Sequence, residues 1–575
     1  MTPKYLRWIW LVTILLPGAA TVNAAVNPET KSARDVILSA MDKELQRSMS
    51  ALKMEGYDAP YFLSFAIREQ KRTSLTAAQG TIVGKGGDHN RMVYIETRVG
   101  DYALDNTELE SGRYQFSSGG ALPYTSYQIP LDNNEAAIRR VLWYLVDSKY
   151  KQSLEQYLKK KGEKIFAAEK EHVDDFSRES AVVNIGSEVA LDFDAEEWGG
   201  IMRRLSLTLA EPNGLYGTRA SITAQKIIDL YINSEGSRIV TESVQYSLSF
   251  SASIRAEDGA PLENFRSYNT PQRDELPTEE KLQAAARQVI EELQALQKAP
   301  ELPPDTYPAI LDPSVTGVIF HEAIGHRLEG ERQKRESSGQ TFKGKIGEVI
   351  IPEFLSVVDD PTMVEFENQA LSGHYAFDNE GVPASRVELI SNGELNSYLM
   401  SRTPVKGVAQ SNGHGRSDGT PFRGDPVARM GNLMVLADGG LSDADLKVRL
   451  MAECKKQGKA QGLIIRNIVG GETNTRRGGF QAFKQSPVLV YLVDAETGEE
   501  ILVRGVDIVG TPLSSIRKIV AAGNNYGIFN GVCGAESGFV PVSTVAPAVL
   551  TLEVELQKTS GKKQRGPLLD PPALR

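Results

Sequence analysis

Val315-Thr316-Gly317-Val318-Ile319-Phe320-His321-Glu322-Ala323-Ile324-Gly325-His326 is the stretch on which the reading of this chain turns. An apolar run ends in two imidazoles flanking a carboxylate, in a chain of 575 residues with only six histidines. Imidazole nitrogens are good zinc donors, and a glutamate beside a ligand can take a proton from water without itself binding the ion. The spacing, however, is one residue longer than the i, i+4 pair that a regular helix sets on one face. At 3.6 residues per turn, His326 falls about 140° from His321 instead of about 40°. For the two rings to converge the helix must bulge or break before His326, and Gly325 is the residue most able to permit it.

Two histidines need a third protein ligand if a water is to hold the fourth position. Glu329 and Glu331 lie within helical reach, while Glu453, His374, His414, Cys454 and Cys533 stand further along the chain. Cys454 falls on the apolar side of a helix expected over 442–456, beside Leu446, Leu450 and Met451, where it reads as a small buried thiol. Cys533 lies in the glycine-rich stretch 530–538, read as a loop that brings backbone and a short ligand close to an ion. Two cysteines are too few for a disulfide framework, but a Cys454–Cys533 bridge is the competing arrangement, favoured by an oxidising compartment.

Outward from this stretch, 41% hydrophobic and 24% charged residues give an ordinary globular composition, long enough for two or more cores. The net charge of -10 offers no basic footprint, so nucleic acid is not expected as a partner. Lys4 and Arg7, the apolar run Trp8 to Leu16, Pro17-Gly18 and Val22-Asn23-Ala24 read as a secretory signal over 1–24, cleaved after Ala24. The chain is therefore expected to be exported, periplasmic or secreted. No later stretch approaches the ~18 apolar residues of a membrane span, so no membrane contact is expected after signal removal.

Helical spacing predicts helices over 32–53, 134–160 and 278–298, the last with Thr278 as N-cap. Alternation predicts strands over 61–67, 80–83, 92–99, 205–209, 220–225, 226–232 and 247–254, with a turn at 84–90. Pro300, Pro303 and Pro304 mark a boundary between an N-terminal α/β domain, 25–300, and a β-rich domain, 301–556. The Lys-, Pro- and Gly-rich tail 557–575 reads as disordered. The expected fold class is α+β with two domains.

His321-Glu322-Ala323-Ile324-Gly325-His326-Arg327-Leu328-Glu329-Gly330, with Val357-Val358-Asp359-Asp360-Pro361-Thr362-Met363, resembles the TldD/PmbA peptidases. So do Asp378-Asn379-Glu380-Gly381 with Pro383, Gly413-His414-Gly415-Arg416 with Arg429-Met430 and Asn432, and Gly531-Val532-Cys533-Gly534. The matches keep the family's order across about residues 305 to 556. The resemblance implies a two-domain zinc peptidase with one ion per active subunit, held by His321, His326 and Cys533, and with Glu322 as general base. It implies unfolded or modified peptide substrates in an enclosed site, and a homodimer or a heterodimer with a related subunit. The chain departs from the best-known members in its export signal and its Lys/Arg-rich segment 332–345. The 413–416 loop is a candidate wall of the substrate site, with Arg416 and His414 as substrate-binding residues.

Two other readings remain at this stage. A dipeptidyl-peptidase III-like zinc exopeptidase would take Glu453, in Met451-Ala452-Glu453-Cys454-Lys455, as third ligand. A non-catalytic subunit of a peptidase complex would carry the same motif without turnover.

Overall fold

The computed structural model describes residues 32–107, 126–166, 173–211, 215, 217–335, 338–418, 425–473, 483–559 and 563–564. The expected signal segment, 1–24, lies outside them.

A seven-stranded sheet occupies the N-terminal part, in the order Ser126–Gln128, Thr81–Val99, Pro60–Ala78, Gly217–Asn233, Arg238–Arg255, Val183–Ile185, with Pro261–Thr270 also on Arg238–Arg255. Helices Ala33–Ala51 and Glu135–Phe166 bury Ile37, Met41, Ile138 and Leu142 against Phe65, Ile67 and Val93 of this sheet. Helices Ala195–Ala210 and Glu279–Lys298 bury Trp198, Met202, Leu205, Leu282 and Val289 against Ile222, Leu248 and Phe250.

Two sequence expectations fail here for local reasons. The segment 84–90 is strand, not turn: the reversal falls at Gln79-Gly80, both at positive φ (50° and 78°), and Thr73 pairs with Gly87. Residues 205–209 are helical, because Asp194 caps the amides of Glu196 and Glu197 and starts a helix whose Trp198, Met202, Leu205 and Leu209 recur at helical spacing.

The C-terminal part is built on an eleven-stranded sheet. From Gly538–Lys558 it runs through Val506–Gly510, Phe483–Asp494 and Gln461–Thr473 to Thr306–Leu311, which pairs back onto Gly538–Lys558, so these strands close on themselves. Asn432–Ala437, Leu355–Asp359, Val387–Ser391 and Glu394–Leu395 extend the sheet from the other side of Gly538–Lys558, and Ile519–Ala535 forms a hairpin with that same strand. Gly538–Lys558 ends two residues inside the segment expected to be disordered. Gln564 also donates to Gly259 O at 2.9 Å and Lys563 to Glu301 at 2.7 Å, so backbone pairing and charge anchor part of that tail.

Helix Pro313–Ala323 carries the stretch quoted at the outset. Asp312 accepts from Val315 N at 2.8 Å as N-cap and from Asn467 N at 2.9 Å, which ties the helix start to strand Gln461–Thr473. Every residue from Val315 to Ala323 is buried, so the helix shows no polar face in the sequence. Gly317 lies against strand Gly538–Lys558 so closely that a β-carbon there would sit 2.3 Å from Thr544 Oγ1.

The two parts meet through buried polar contacts. The Arg402 guanidinium donates to Glu235 at 2.7 and 2.8 Å and to Ser177 O at 2.6 Å, and lies 3.9 Å from the Phe176 ring centroid.

Candidate metal centre

The helix stops at Ala323. Ile324 leaves ideal helical geometry (φ -112°, ψ -57°), which breaks the helix between the two histidines, and Gly325–Arg327 follow as a single 3-10 turn. Across that break the imidazoles come together, with ring centroids 4.9 Å apart and planes at 82°. Gly325 is required by contact: a β-carbon would lie 2.0 Å from Met430 Sδ, and Met430 is fully buried.

Cys533 lies on a strand, not in the loop expected for 530–538. It pairs with Val540 near the tight turn of the hairpin formed by Ile519–Ala535 and Gly538–Lys558. Its sulfur is 3.1 Å from His321 Nε2 and 3.3 Å from His326 Nε2. Among the described residues, His321, His326 and Cys533 form the group of potential metal ligands, with donor atoms within 4.8 Å of one another and all three side chains buried. Burial opposes ionisation of the Cys533 thiol, but His326, His321 and Arg429 beside it outweigh that effect and hold the thiol well below its usual range. A soft thiolate with two imidazoles is a donor set suited to zinc and poorly suited to magnesium or calcium. The residues present therefore fit a zinc ion.

Glu322 is 8% exposed, and its carboxylate makes no hydrogen bond among the described residues, so its lone pairs are available to a water or substrate. Its side chain packs on strand Gln461–Thr473, where a β-carbon at Gly471 would lie 2.8 Å from Glu322 Cγ. Arg327 reaches back to donate to Glu322 O at 2.5 Å, holding the turn from the carboxyl side.

Around the three donors lies a charged brace that the sequence did not signal: Glu329 stood only as a ligand candidate and Arg429 only as part of a family motif. Glu329 Oε1 accepts from His326 Nδ1 at 2.8 Å, and Glu329 Oε2 accepts from Arg332 Nε at 2.6 Å. Arg332 then holds both oxygens of Glu536 at 3.0 Å, in the turn that follows the Cys533 strand. Burial raises the Glu329 carboxyl, but Arg332 and His326 outweigh it and bring it down to about 2. Arg429, fully buried, donates to Cys533 O at 2.8 Å and to Ser537 Oγ at 3.0 Å.

The other candidates are occupied elsewhere. Glu331 accepts from Ser401 and from Ala428 N. Glu453 is bound to Lys456 and Gln457 at a helix end, outside the donor group, which removes the geometric basis of the exopeptidase reading. His374 Nδ1 faces Pro361 O at 2.9 Å. Cys454 and Cys533 are both free thiols, Cys454 packed with Leu446, Leu450 and Ile310, so no disulfide joins them. His414, expected at the substrate wall, has no exposed surface. Its Nδ1 faces Asn412 oxygens at 3.0 Å and its Nε2 faces Asp359 Oδ1 at 3.2 Å, which leaves neither nitrogen for a ligand. Arg416 is buried in strand Gly415–Arg416, with 7% exposure, and is not a surface loop residue.

A two-domain α+β protein with a buried His-His-Cys group beside an unbonded glutamate has the ligand chemistry of a metallopeptidase. Residues 304–558 match the PmbA/TldA metallopeptidase C-terminal domain, so this part of the chain is similar to the TldD/PmbA metallopeptidases. The chain is 29% identical to a metalloprotease of Methanothermobacter thermautotrophicus over 59% of this chain and 69% of that protein. It is 33% identical to a metalloprotease TldD homolog of Haemophilus influenzae over 48% of this chain and 52% of the relative. A zinc metalloprotease TldD homolog of Saccharolobus solfataricus is 29% identical over 42% of this chain and 49% of the relative. The alignments with the last two thus span about half the length of those relatives. In fold, the chain is similar to a crystal structure from Thermotoga maritima (TM-score 0.61, 18% identity, 90% of this chain and 100% of that one). It is also similar to TldE from Thermococcus kodakarensis (TM-score 0.56, 14% identity, 90% of this chain and 99% of that one).

Proposed function

We propose that this protein is a zinc-dependent peptidase of unfolded peptides. The observation that carries the reading is the convergence of His321 Nε2, His326 Nε2 and Cys533 Sγ within 4.8 Å beside Glu322. His321, His326 and Cys533 hold one ion. Bound there, zinc supplies positive charge that acidifies water and polarises a carbonyl. Glu322 accepts the proton of the attacking water and returns it to the departing amine, the work of a general base and then a general acid. Glu329, by accepting from His326 Nδ1, keeps the proton of the neutral ring on that nitrogen and leaves Nε2 as the donor atom.

Burial supports the substrate class. With His321, Glu322, His326 and Cys533 all at 8% exposure or less, the centre is recessed from any folded protein surface, which favours a substrate without a fold of its own. In this reading a second copy or a related subunit completes the enclosure. The N-terminal segment supports export to the periplasm or the medium.

The test is hydrolysis of unstructured peptides by zinc-loaded, metal-free and Glu322→Gln protein. Zinc-dependent cleavage that falls about 10²–10⁴-fold in the Gln variant, with zinc still bound, is the expected result. Cleavage unaffected by removal of zinc, or by the substitution, would refute the reading.

A further inference from the structure

The Arg416 guanidinium, close to Cys533 and Arg429 of the metal centre, is only partly compensated. It donates to Met430 O at 2.5 Å and lies 4.6 Å from the Tyr375 ring centroid, and among the described residues it forms no ion pair. A guanidinium carries five N–H donors in a planar fork, so most of its hydrogen-bonding capacity is unused here. Burial disfavours its charge and the nearby Arg429 adds to that effect, while Tyr375, Asp359 and Cys533 offset only part of it. Buried charges are normally paired, because leaving one unpaired costs several kcal/mol, and a carbonyl with an aromatic face offsets only part of this.

The neighbouring carboxylates are committed elsewhere. Asp359 accepts from Gly431 N at 3.0 and 3.1 Å and faces His414 Nε2. Asp378 accepts from Glu380 N, Val382 N and Gly415 N, each at 2.9 Å.

The backbone around Arg416 is held on both sides. Gly415 O accepts from Asn379 N at 2.8 Å and Ser417 N donates to Asn379 Oδ1 at 2.9 Å, while on the other edge Arg416 pairs with Val427. Its partner Met430 packs on Gly325, between the two histidines, and Arg429 holds Cys533 O. A cation fixed in this way, against the turn that presents His326, is preorganised for an anionic group of whatever occupies the centre.

We propose that Arg416 binds a carboxylate of the peptide substrate and makes the enzyme selective for peptides that present one near the scissile bond. The fork geometry of the guanidinium suits two parallel hydrogen bonds to such a group. The carboxylate is either the peptide's own C-terminus or an Asp or Glu side chain. This assignment rests on the peptidase reading for its substrate class, but binding alone tests it.

The experiment measures binding of three fluorescent, unstructured peptides to zinc-loaded Glu322→Gln protein by anisotropy: a free acid, its C-terminal amide, and an amide with one internal Glu. The proposal predicts that at least one carboxylate-bearing peptide binds about 10-fold or more tighter than the plain amide. Preference for the free acid identifies the C-terminus as the group bound, and preference for the internal Glu identifies the side chain. Arg416→Gln abolishes the preference without weakening the plain amide, and Arg416→Lys, which keeps the charge should the Gln variant fold poorly, retains part of it. Equal binding of all three peptides, or a preference that survives in Arg416→Gln, overturns the proposal. Wild-type hydrolysis, measured alongside, separates the two ideas: hydrolysis without carboxylate preference sinks this one alone, and preference without hydrolysis sinks the peptidase reading alone.

Discussion

Glu329 holds His326 through a 2.8 Å contact between Oε1 and Nδ1, and Arg332 carries that hold to Glu536 at the turn of the Cys533 hairpin. Two elements that carry ligands, 207 residues apart at His326 and Cys533, are thereby braced by one chain of charged hydrogen bonds. Removing the carboxylate charge frees the His326 ring to rotate or change tautomer. Glu329→Gln should lower zinc affinity about 10–100-fold in competition with a chromophoric chelator. Unchanged affinity would mean that Glu329 does not position the ring.

Gly325→Ala forces a β-carbon to within 2.0 Å of Met430 Sδ, in a place where Met430 is fully buried and has little room to move. Overpacking of this kind costs about 1–3 kcal/mol. The denaturant midpoint should fall accordingly, and Met430→Ala introduced into the same chain should recover part of the loss by making room, which a double-mutant cycle reads directly. Additive losses would show that the two residues do not meet.

Glu380 is buried, and burial first, then the neighbouring Asp378 and Glu96, push its carboxyl well above the usual range. A carboxyl whose folded pKa exceeds its unfolded value binds more protons in the folded state, so its contribution to stability is present below the unfolded value of about 4.3 and is lost as pH rises towards the folded one. Glu380→Gln mimics the protonated group. The variant should therefore gain stability over the wild type as pH rises from 5 to 7, by at most about 1.4 kcal/mol per pH unit, read from urea midpoints. A gap that is constant, or that runs the other way, would place the proton elsewhere.

The metal centre was legible because rare residue types carry it. Six histidines in 575 residues make His321 and His326 conspicuous, and the i+5 spacing demanded the irregularity that appears as the helix break at Ile324. The brace was not legible, because Arg332 and Glu536 are 204 residues apart and nothing local to either signals the pairing. The role assigned to His414 failed for a similar reason: a histidine beside glycines reads as accessible until Asp359, 55 residues earlier, closes over it. In the N-terminal part, glycines at 84, 86 and 87 suggested a turn, but a reversal needs positive φ, and Gln79-Gly80 supplies it first. Helix Ala195–Ala210 was missed because five residues of alternation, 205–209, fit a strand as well as a helix when the Asp194 cap is not weighed with them.

The most direct test of the central claim is X-ray absorption at the zinc edge of the zinc-loaded full-length protein, compared with Cys533→Ser. The account predicts one sulfur at about 2.3 Å and two imidazole nitrogens at about 2.0–2.1 Å, with the sulfur shell lost in the variant. A shell of nitrogen and oxygen only in the wild type, or a sulfur shell that persists in Cys533→Ser, would contradict it.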